Sequence, residues 1–328
     1  MIRRNRIVAA LAAVLFAVAA SFGSAGDAAA QDKKYKVGVS LPEAQNPFYV
    51  LMGKSIVKTL KGRGIEPLLL SANTDVNEQV SNVNDLIAAK VDLILISPLN
   101  LEGPALAVQA AHDAGIHIFM IARKLAKKYQ HLWKAFIGFD LSEIGALKGK
   151  WVVDNLKPGK VAMLLGPAGA MFAVEQERGF RRVVEPAGFK VVWTQNSSQT
   201  RENGLKLAED ALVANPGLSV IYASNDDVAL GASQAVKAAG LRGKVHVLGT
   251  NGAPPALAAV HRGNMAATVL LDPISWGRQG AEVAADFLQK GKAPPSQNIM
   301  LTSELITSAN AYDKLPPFLR KKFGLKPK

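Results

Sequence analysis

What most constrains this chain is that one strand-and-helix pattern is written twice along it. Short runs rich in branched apolar residues alternate with longer Ala-rich segments, the order of a parallel sheet whose strands are joined by crossover helices. In the first half the runs fall at 36–41, 67–70, 91–97 and 116–122; in the second they fall at 160–165, 189–194, 219–223 and 245–249. Matched by order, each second-half run lies roughly 125 residues after its counterpart, a single long period. The detail repeats too. "DLILISP" at 92–98 is answered by "LSVIYASND" at 218–226, and "AAHDAGIHIFMIAR" at 110–123 by "AVKAAGLRGKVHVLGTN" at 235–251. In each of the longer stretches an Ala-rich helix stops at a Gly (Gly115, Gly240) suited to the left-handed turn that ends helices. The pattern predicts an α/β chain of two similar Rossmann-like lobes, each with a parallel sheet.

The N-terminus stands outside this repeat. Arg3, Arg4 and Arg6 precede an apolar run from Ile7 to Ala20, and small residues lead to Ala28-Ala29-Ala30 before Gln31. Charged, apolar, then small-x-small is the order of a cleavable secretory signal. The run is shorter than the ~20 residues a membrane span needs. Residues 1–30 therefore read as a signal peptide, leaving a mature chain of about 298 residues, enough for two lobes of ordinary domain size. The sequence has no cysteine, which removes disulfides, thiolate nucleophiles, thiolate metal sites and a lipid-anchored cysteine at the cleavage point. A protein released in the periplasm is expected.

Charge and motifs then exclude other classes. The formal charge is +13, and +11 without residues 1–30, which hold three Arg and Asp27. The bases are scattered apart from Arg123-Lys124 with Lys127-Lys128 and the run Arg320-Lys321-Lys322. No basic stripe interleaved with aromatics and no zinc-finger spacing point to nucleic acid. The histidines, at 112, 117, 131, 246 and 261, form no H-E-x-x-H, and neither G-x-S-x-G nor a P-loop occurs. Gly166-Pro167-Ala168-Gly169 follows a strand and opens a helix, a possible anion cradle but not a dinucleotide fingerprint. No enzyme, no cofactor and no metal are expected, since no nucleophile, base and orienter come together in the sequence.

In an open parallel sheet, ligands sit beyond the carboxyl ends of the strands. That places the candidate site at Asn46-Pro47-Phe48-Tyr49, Ser97, Arg123, the loop 166–172, Gln199, Asn225-Asp226 and Asn251. Phe48 and Tyr49 offer flat faces for the C–H face of a sugar or another planar ligand, or one of them is core. Asn46 and Asn225 each carry an amide donor and acceptor for a hydroxyl or carbonyl, or each serves as a helix cap, with a turn role also open to Asn46 before Pro47. Arg123 brings a rigid fork that reads carboxylates and vicinal hydroxyls, or is a surface charge beside the other bases.

At these residues the chain resembles the type I periplasmic binding proteins, within them the ribose/galactose-like sugar-binding family. The resemblance runs from Lys36 to about Ala311 on "QNPFY", "VDLILISP", "AGIHIFMIAR", "IYASNDDVALGA", "HVLGTNG" and "GNMAATVLLDP", with "SNDDVALGA" at 224–232 the most specific. It implies a clamshell crossed three times by the chain: lobe 1 at 34–138 plus 272–298, lobe 2 at 139–271 plus 299–328. It implies a monomer that captures a small sugar-like, polyol or sugar-acid ligand and delivers it to an ABC importer's permease in the inner membrane. A periplasmic sensor presenting its ligand to a membrane receptor or histidine kinase would use the same fold. A repressor would need a DNA-binding helix-turn-helix where the signal stands.

The resemblance also assigns stacking to Phe48 and exposes departures. Where the family pattern carries carboxylates, this chain has Ala122 and Asn251; Val174 stands for an Arg, Leu271 for a Gln and Gln199 for an aromatic. Two missing acceptors beside a retained Arg123 predict a ligand with fewer hydroxyls or with a negative charge of its own.

Overall fold

The computed structural model describes residues 34–327. The expected signal peptide, residues 1–30, lies outside them.

Two six-stranded sheets form, with the same internal order. The first contains β1 (Lys36–Leu41), β2 (Glu66–Ser71), β3 (Leu93–Ile96), β4 (His117–Ile121), β5 (Ala135–Phe139) and β11 (Asn298–Leu301), in the order β11-β5-β4-β3-β1-β2. The second contains β6 (Lys160–Leu165), β7 (Lys190–Asn196), β8 (Leu218–Ala223), β9 (His246–Asn251), β10 (Ala267–Leu270) and β12 (Glu304–Ile306), in the order β12-β10-β9-β8-β6-β7. Every pairing is parallel except β10 with β12. The two-lobed α/β reading of the repeat is thus the observed fold. In each sheet the order reverses between the first and third strands of its half, β1 against β3 and β6 against β8, where doubly wound sheets open a crevice.

Apolar clusters line both faces of each sheet. In the first lobe, α1 (Pro47–Gly62) and α9 (Pro273–Lys290) pack over one face, with Met52, Ile56, Leu60, Trp276 and Ala281 buried between helix and strand. The other face is covered by α2 (Val76–Ala88) and α3 (Ala105–Asp113). In the second lobe α4 (Leu141–Asn155) and α5 (Met171–Val184) cover one face, and α6 (Arg201–Ala214), α7 (Asp226–Ala238) and α8 (Pro254–His261) the other. The α4–α5 pair is close because glycines face backbone reciprocally: a Cβ on Gly145 would run into the Gln176 carbonyl oxygen, and one on Gly179 into that of Ser142.

The chain passes between sheets three times, each time leaving the carboxyl end of a parallel strand. It leaves β5 at Phe139 for α4, β10 at Leu270 for α9, and β11 at Leu301 for β12. Asp140 caps α4 by accepting from Glu143 N at 3.0 Å, and Asp272 caps α9 by accepting from Ile274 N at 2.9 Å. These two crossings are therefore short and end in ordered helix starts. The third differs from the sequence division at 298/299. Residues 299–301 pair with Ile137, Gly138 and Phe139 in the first sheet, so the strand carries the first lobe three residues further. Because all three crossings start at strand carboxyl ends, those ends of both sheets lie beside the crossings.

Candidate functional site

The first-lobe half of the site is built at the β1/β3 reversal. Asn46 caps α1: its Oδ1 accepts from Phe48 N at 3.0 Å, and Pro47, at the first turn, needs no partner for its nitrogen. The capping alternative for Asn46 is therefore realised in the structure. Its Nδ2 donates to Glu43 Oε1 at 3.2 Å. Phe48 is half-buried and sits edge-on to Tyr49 (centroids 5.3 Å apart) and to Trp276 (5.6 Å). Trp276 is fixed in turn by Phe139 at 4.5 Å and by its Nε1 donating to Ile137 O at 2.9 Å. One edge of Phe48 is thus committed to an aromatic cluster at the first crossing.

Tyr49 is buried and belongs to the first-lobe core. Burial pushes its phenol up; the Arg123 charge opposes this and the Glu43 charge adds to it. Ser97 is fully buried just past β3, its N–H donating to Ser40 O and its carbonyl accepting from Gln79 Nε2. Arg123 follows β4. Its guanidinium lies over the Tyr49 ring, 5.5 Å from the centroid, and Nη1 donates to Leu99 O at 3.3 Å. Arg123 is therefore turned onto the β1/β3 crevice rather than grouped with Lys127 and Lys128. Ala122 before it has φ 65°, and Arg123 N donates back to Ile121 O at 2.7 Å, a tight turn that aims the side chain.

The second-lobe half is a network of amides and hydroxyls at the β6/β8 reversal. Gln199, with φ 65°, donates from Nε2 to Ser224 Oγ at 2.7 Å. Asn225 caps α7, accepting from Val228 N at 2.8 Å, while its Nδ2 donates to Gln199 O at 3.2 Å. Asn251 ends β9 with φ 117°; its side chain is exposed and its carbonyl accepts from Leu271 N at 3.2 Å, at the second crossing. Ala122, Gln199 and Asn251 all hold a left-handed backbone at strand ends, where such strain gathers in functional sites. Val174 is exposed on the first turn of α5 and Leu271 is buried against the first-lobe core. In the loop 166–172, Gly166 accepts from Asn196 Nδ2 at 2.7 Å.

Beneath this half lies a buried polar cluster: Asp226, which the sequence placed at the site, is turned inward, and its partner Lys148 was missed. Asp226 is buried; Oδ2 accepts from Ala253 N and Oδ1 from Thr268 Oγ1, each at 2.6 Å. Burial pushes its carboxyl up to about 7, against the pull of those two donors and of Lys148. Lys148 is fully buried on α4, with Nζ donating to Thr250 Oγ1 at 2.8 Å and Ala223 O at 3.1 Å and lying 3.7 Å from the Tyr222 ring centroid. Burial holds its ammonium well below the ordinary range, and only Asp226 opposes. Lys148 was findable: it shares one helical stripe with buried Ile144 and Val152 at i±4. Glu43 was also missed.

The candidate site therefore has a flat aromatic edge, one guanidinium, one nearby carboxylate and four amides. Among the described residues no group of three His, Asp or Glu is placed to hold a metal ion. Such a set recognises hydroxyls.

Residues 37–293 match the periplasmic binding protein domain. The chain belongs to the type I periplasmic sugar-binding protein family. This binding protein is 31% identical over 261 residues to the ribose import binding protein RbsB of Bacillus subtilis, covering 79% of this chain and 84% of that one. It is 31% identical over 266 residues to the D-allose-binding periplasmic protein of Escherichia coli, covering 78% and 86%. Among solved structures it resembles a periplasmic ribose ABC transporter protein from Conexibacter woesei, with a TM-score of 0.81 and 29% identity over 86% of this chain and 95% of that one. These relatives are named as binding proteins or transporter components. Among the described residues of this binding protein, no helix is long and apolar enough to cross a membrane.

Proposed function

We propose that this chain is the periplasmic solute-binding component of an ABC importer, taking a small sugar-like or polyol ligand between its lobes and presenting it to an inner-membrane permease. The observation that carries this is the convergence of Phe48, Arg123, Gln199, Asn225 and Asn251 on strand carboxyl ends beside three crossings. A ligand touching both halves holds the lobes together, the usual hinge closure of a two-lobed binder. The chemistry is capture without turnover: the polar groups of these five residues are amides and a guanidinium, which bind hydroxyls and do not attack them. The ligands named for the ribose and allose relatives set the class to test. Residues 1–30 direct export and are removed on it, and the released protein works as a monomer.

A thermal-shift screen over D-ribose, D-allose, myo-inositol, their acids and small dicarboxylates tests the reading. A true ligand at 100 times Kd raises stability by about 2.7 kcal/mol. No shift with any sugar or polyol and a shift with an unrelated class would replace the reading. Intact-mass analysis of periplasmic protein tests export: loss of residues 1–30 is expected.

A further inference from the structure

The missing family carboxylates leave a question about charge that the β1–α1 turn answers. Glu43 follows β1 by two residues, at the β1/β3 reversal where the first-lobe half of the site is built. Its Oε1 is held by Asn46 Nδ2 at 3.2 Å, a bond between side chains three residues apart in one turn, so the carboxylate has a fixed place next to the capped start of α1. Among the described residues its Oε2 is engaged by no donor. Arg123 lies over the Tyr49 ring from the β4 side, and among the described residues its guanidinium's one hydrogen bond is to Leu99 O. Tyr49 feels both charges, Arg123 and Glu43 acting on its phenol in opposite directions. Glu43 thus stands in the turn that leads into the helix of Tyr49, Arg123 lies over that ring, and among the described residues neither makes a protein ion pair. The second-lobe network adds neutral amides and hydroxyls, since Asp226 is turned inward onto Ala253 and Thr268.

We propose that Glu43 is the ligand-binding carboxylate of this protein, acting opposite Arg123, and that the ligand is a neutral molecule with vicinal hydroxyls rather than an anion. This rests on the reading of the site as a sugar or polyol site. The chemistry is complementary: a hydroxyl is donor and acceptor at once, so one ligand hydroxyl donates to Glu43 while its neighbour accepts from Arg123. A ligand carboxylate would satisfy Arg123 but bring like charge against Glu43. The charged acceptor that Ala122 and Asn251 lack is supplied from a different element, by a residue in the turn rather than at a strand end.

Calorimetric titration of matched pairs tests this: D-ribose with D-ribonate and D-allose with D-allonate, plus myo-inositol, on the wild type, Glu43→Gln and Glu43→Ala. Glu43→Gln keeps the acceptor for Asn46 Nδ2 and removes only the charge, so the turn survives. The wild type is expected to prefer a neutral member over its acid. Glu43→Gln is expected to weaken the neutral ligand about tenfold or more and to shift the neutral-to-acid ratio toward the acid, with the unliganded melting temperature unchanged. A merely structural Glu43 would leave that ratio alone. Equal neutral affinity in Glu43→Gln, or tighter binding of the acid by the wild type, overturns the proposal. A wild type that binds no member of the panel overturns the sugar reading itself, and Glu43 with it.

Discussion

Asp226 Oδ2 accepts from Ala253 N at 2.6 Å, which ties the first turn of α7 to the loop that follows Asn251. With Oδ1 on Thr268 of β10, one buried carboxyl fixes three chain segments behind the second-lobe site. Asn225 and Asn251 owe their relative placement to it.

The carboxyl of Asp226 is raised to about 7, against an ordinary value of 3.8. Between those values the folded protein holds a proton that the unfolded chain has lost. Stability from this group therefore falls as pH rises from about 4 to about 7, then levels off. Asp226→Asn should flatten that part of the profile: its Oδ1 can accept from Ala253 N while Nδ2 donates to Thr268. Asp226→Ala strands Ala253 N–H and should cost about 1–3 kcal/mol. Urea melts of the three proteins from pH 4 to 8 are the measurement; a wild-type advantage over Asp226→Asn that grows with pH would contradict the sign.

Helix contact in the second lobe gives a test independent of ligand. A Cβ at Gly179 would enter the Ser142 carbonyl, and backbone yields less readily than a side chain. Gly179→Ala should cost about 1–3 kcal/mol by overpacking. At Gly62, the last residue of α1, a Cβ meets nothing within 4 Å. Gly62→Ala should gain about 0.5–1 kcal/mol through the reduced entropy of the unfolded chain. Chemical denaturation of both variants separates close approach from helix propensity.

Phe48 is committed on one side to Tyr49 and Trp276, so its truncation is not silent in the free protein. Phe48→Ala should lower stability by about 1–2 kcal/mol and weaken ligand several-fold. Phe48→Leu should recover most of the stability, because it refills the apolar volume, but not the affinity, because it has no flat face. Melting temperatures beside calorimetric affinities check this; full recovery of both by Leu would make the ring a packing residue only.

The repeat was legible because its signal is long: eight apolar runs with helices between them at one period. The strands β5 and β10 carry no comparable signal. "AFIGF" and "ATVL" are short buried runs, and periodicity alone cannot distinguish such a run from a piece of helix. The strand-end positions of the candidate residues were legible from topology, since the loops after parallel strands share one end of the sheet. Their partners were not. The bond from Asn46 to Glu43 depends on the path of one turn, and a Glu between a strand and a helix reads as solvated charge. The Asp226–Lys148 cluster joins α7 to α4 through β8 and β9, across 78 positions of sequence, and neither the pairing nor the burial of Asp226 has a local signature.

Asn225 has two roles that separate by substitution. Its Oδ1 accepts from Val228 N and so caps α7; its Nδ2 donates to Gln199 O and so holds the strained Gln199 turn against the start of the helix. Asn225→Asp keeps the capping oxygen, and its negative charge at a helix N-terminus is favourable, so α7 should be as stable as in the wild type or slightly more so. The same change replaces the donor with an acceptor facing the Gln199 carbonyl. That repulsion should release the Gln199 turn, whose φ of 65° has little else to hold it beyond Ser197 and Ser224. Asn225→Ala loses both bonds and should cost about 1 kcal/mol from the cap alone. If Asn225 serves the ligand, Asp and Ala should both weaken binding about tenfold while only Ala lowers the melting temperature. If its donor serves binding neither directly nor through the Gln199 turn, Asp should bind as the wild type does. Parallel melting and calorimetric measurements on the two variants distinguish these outcomes, because the cap term and the donor term then appear in different observables.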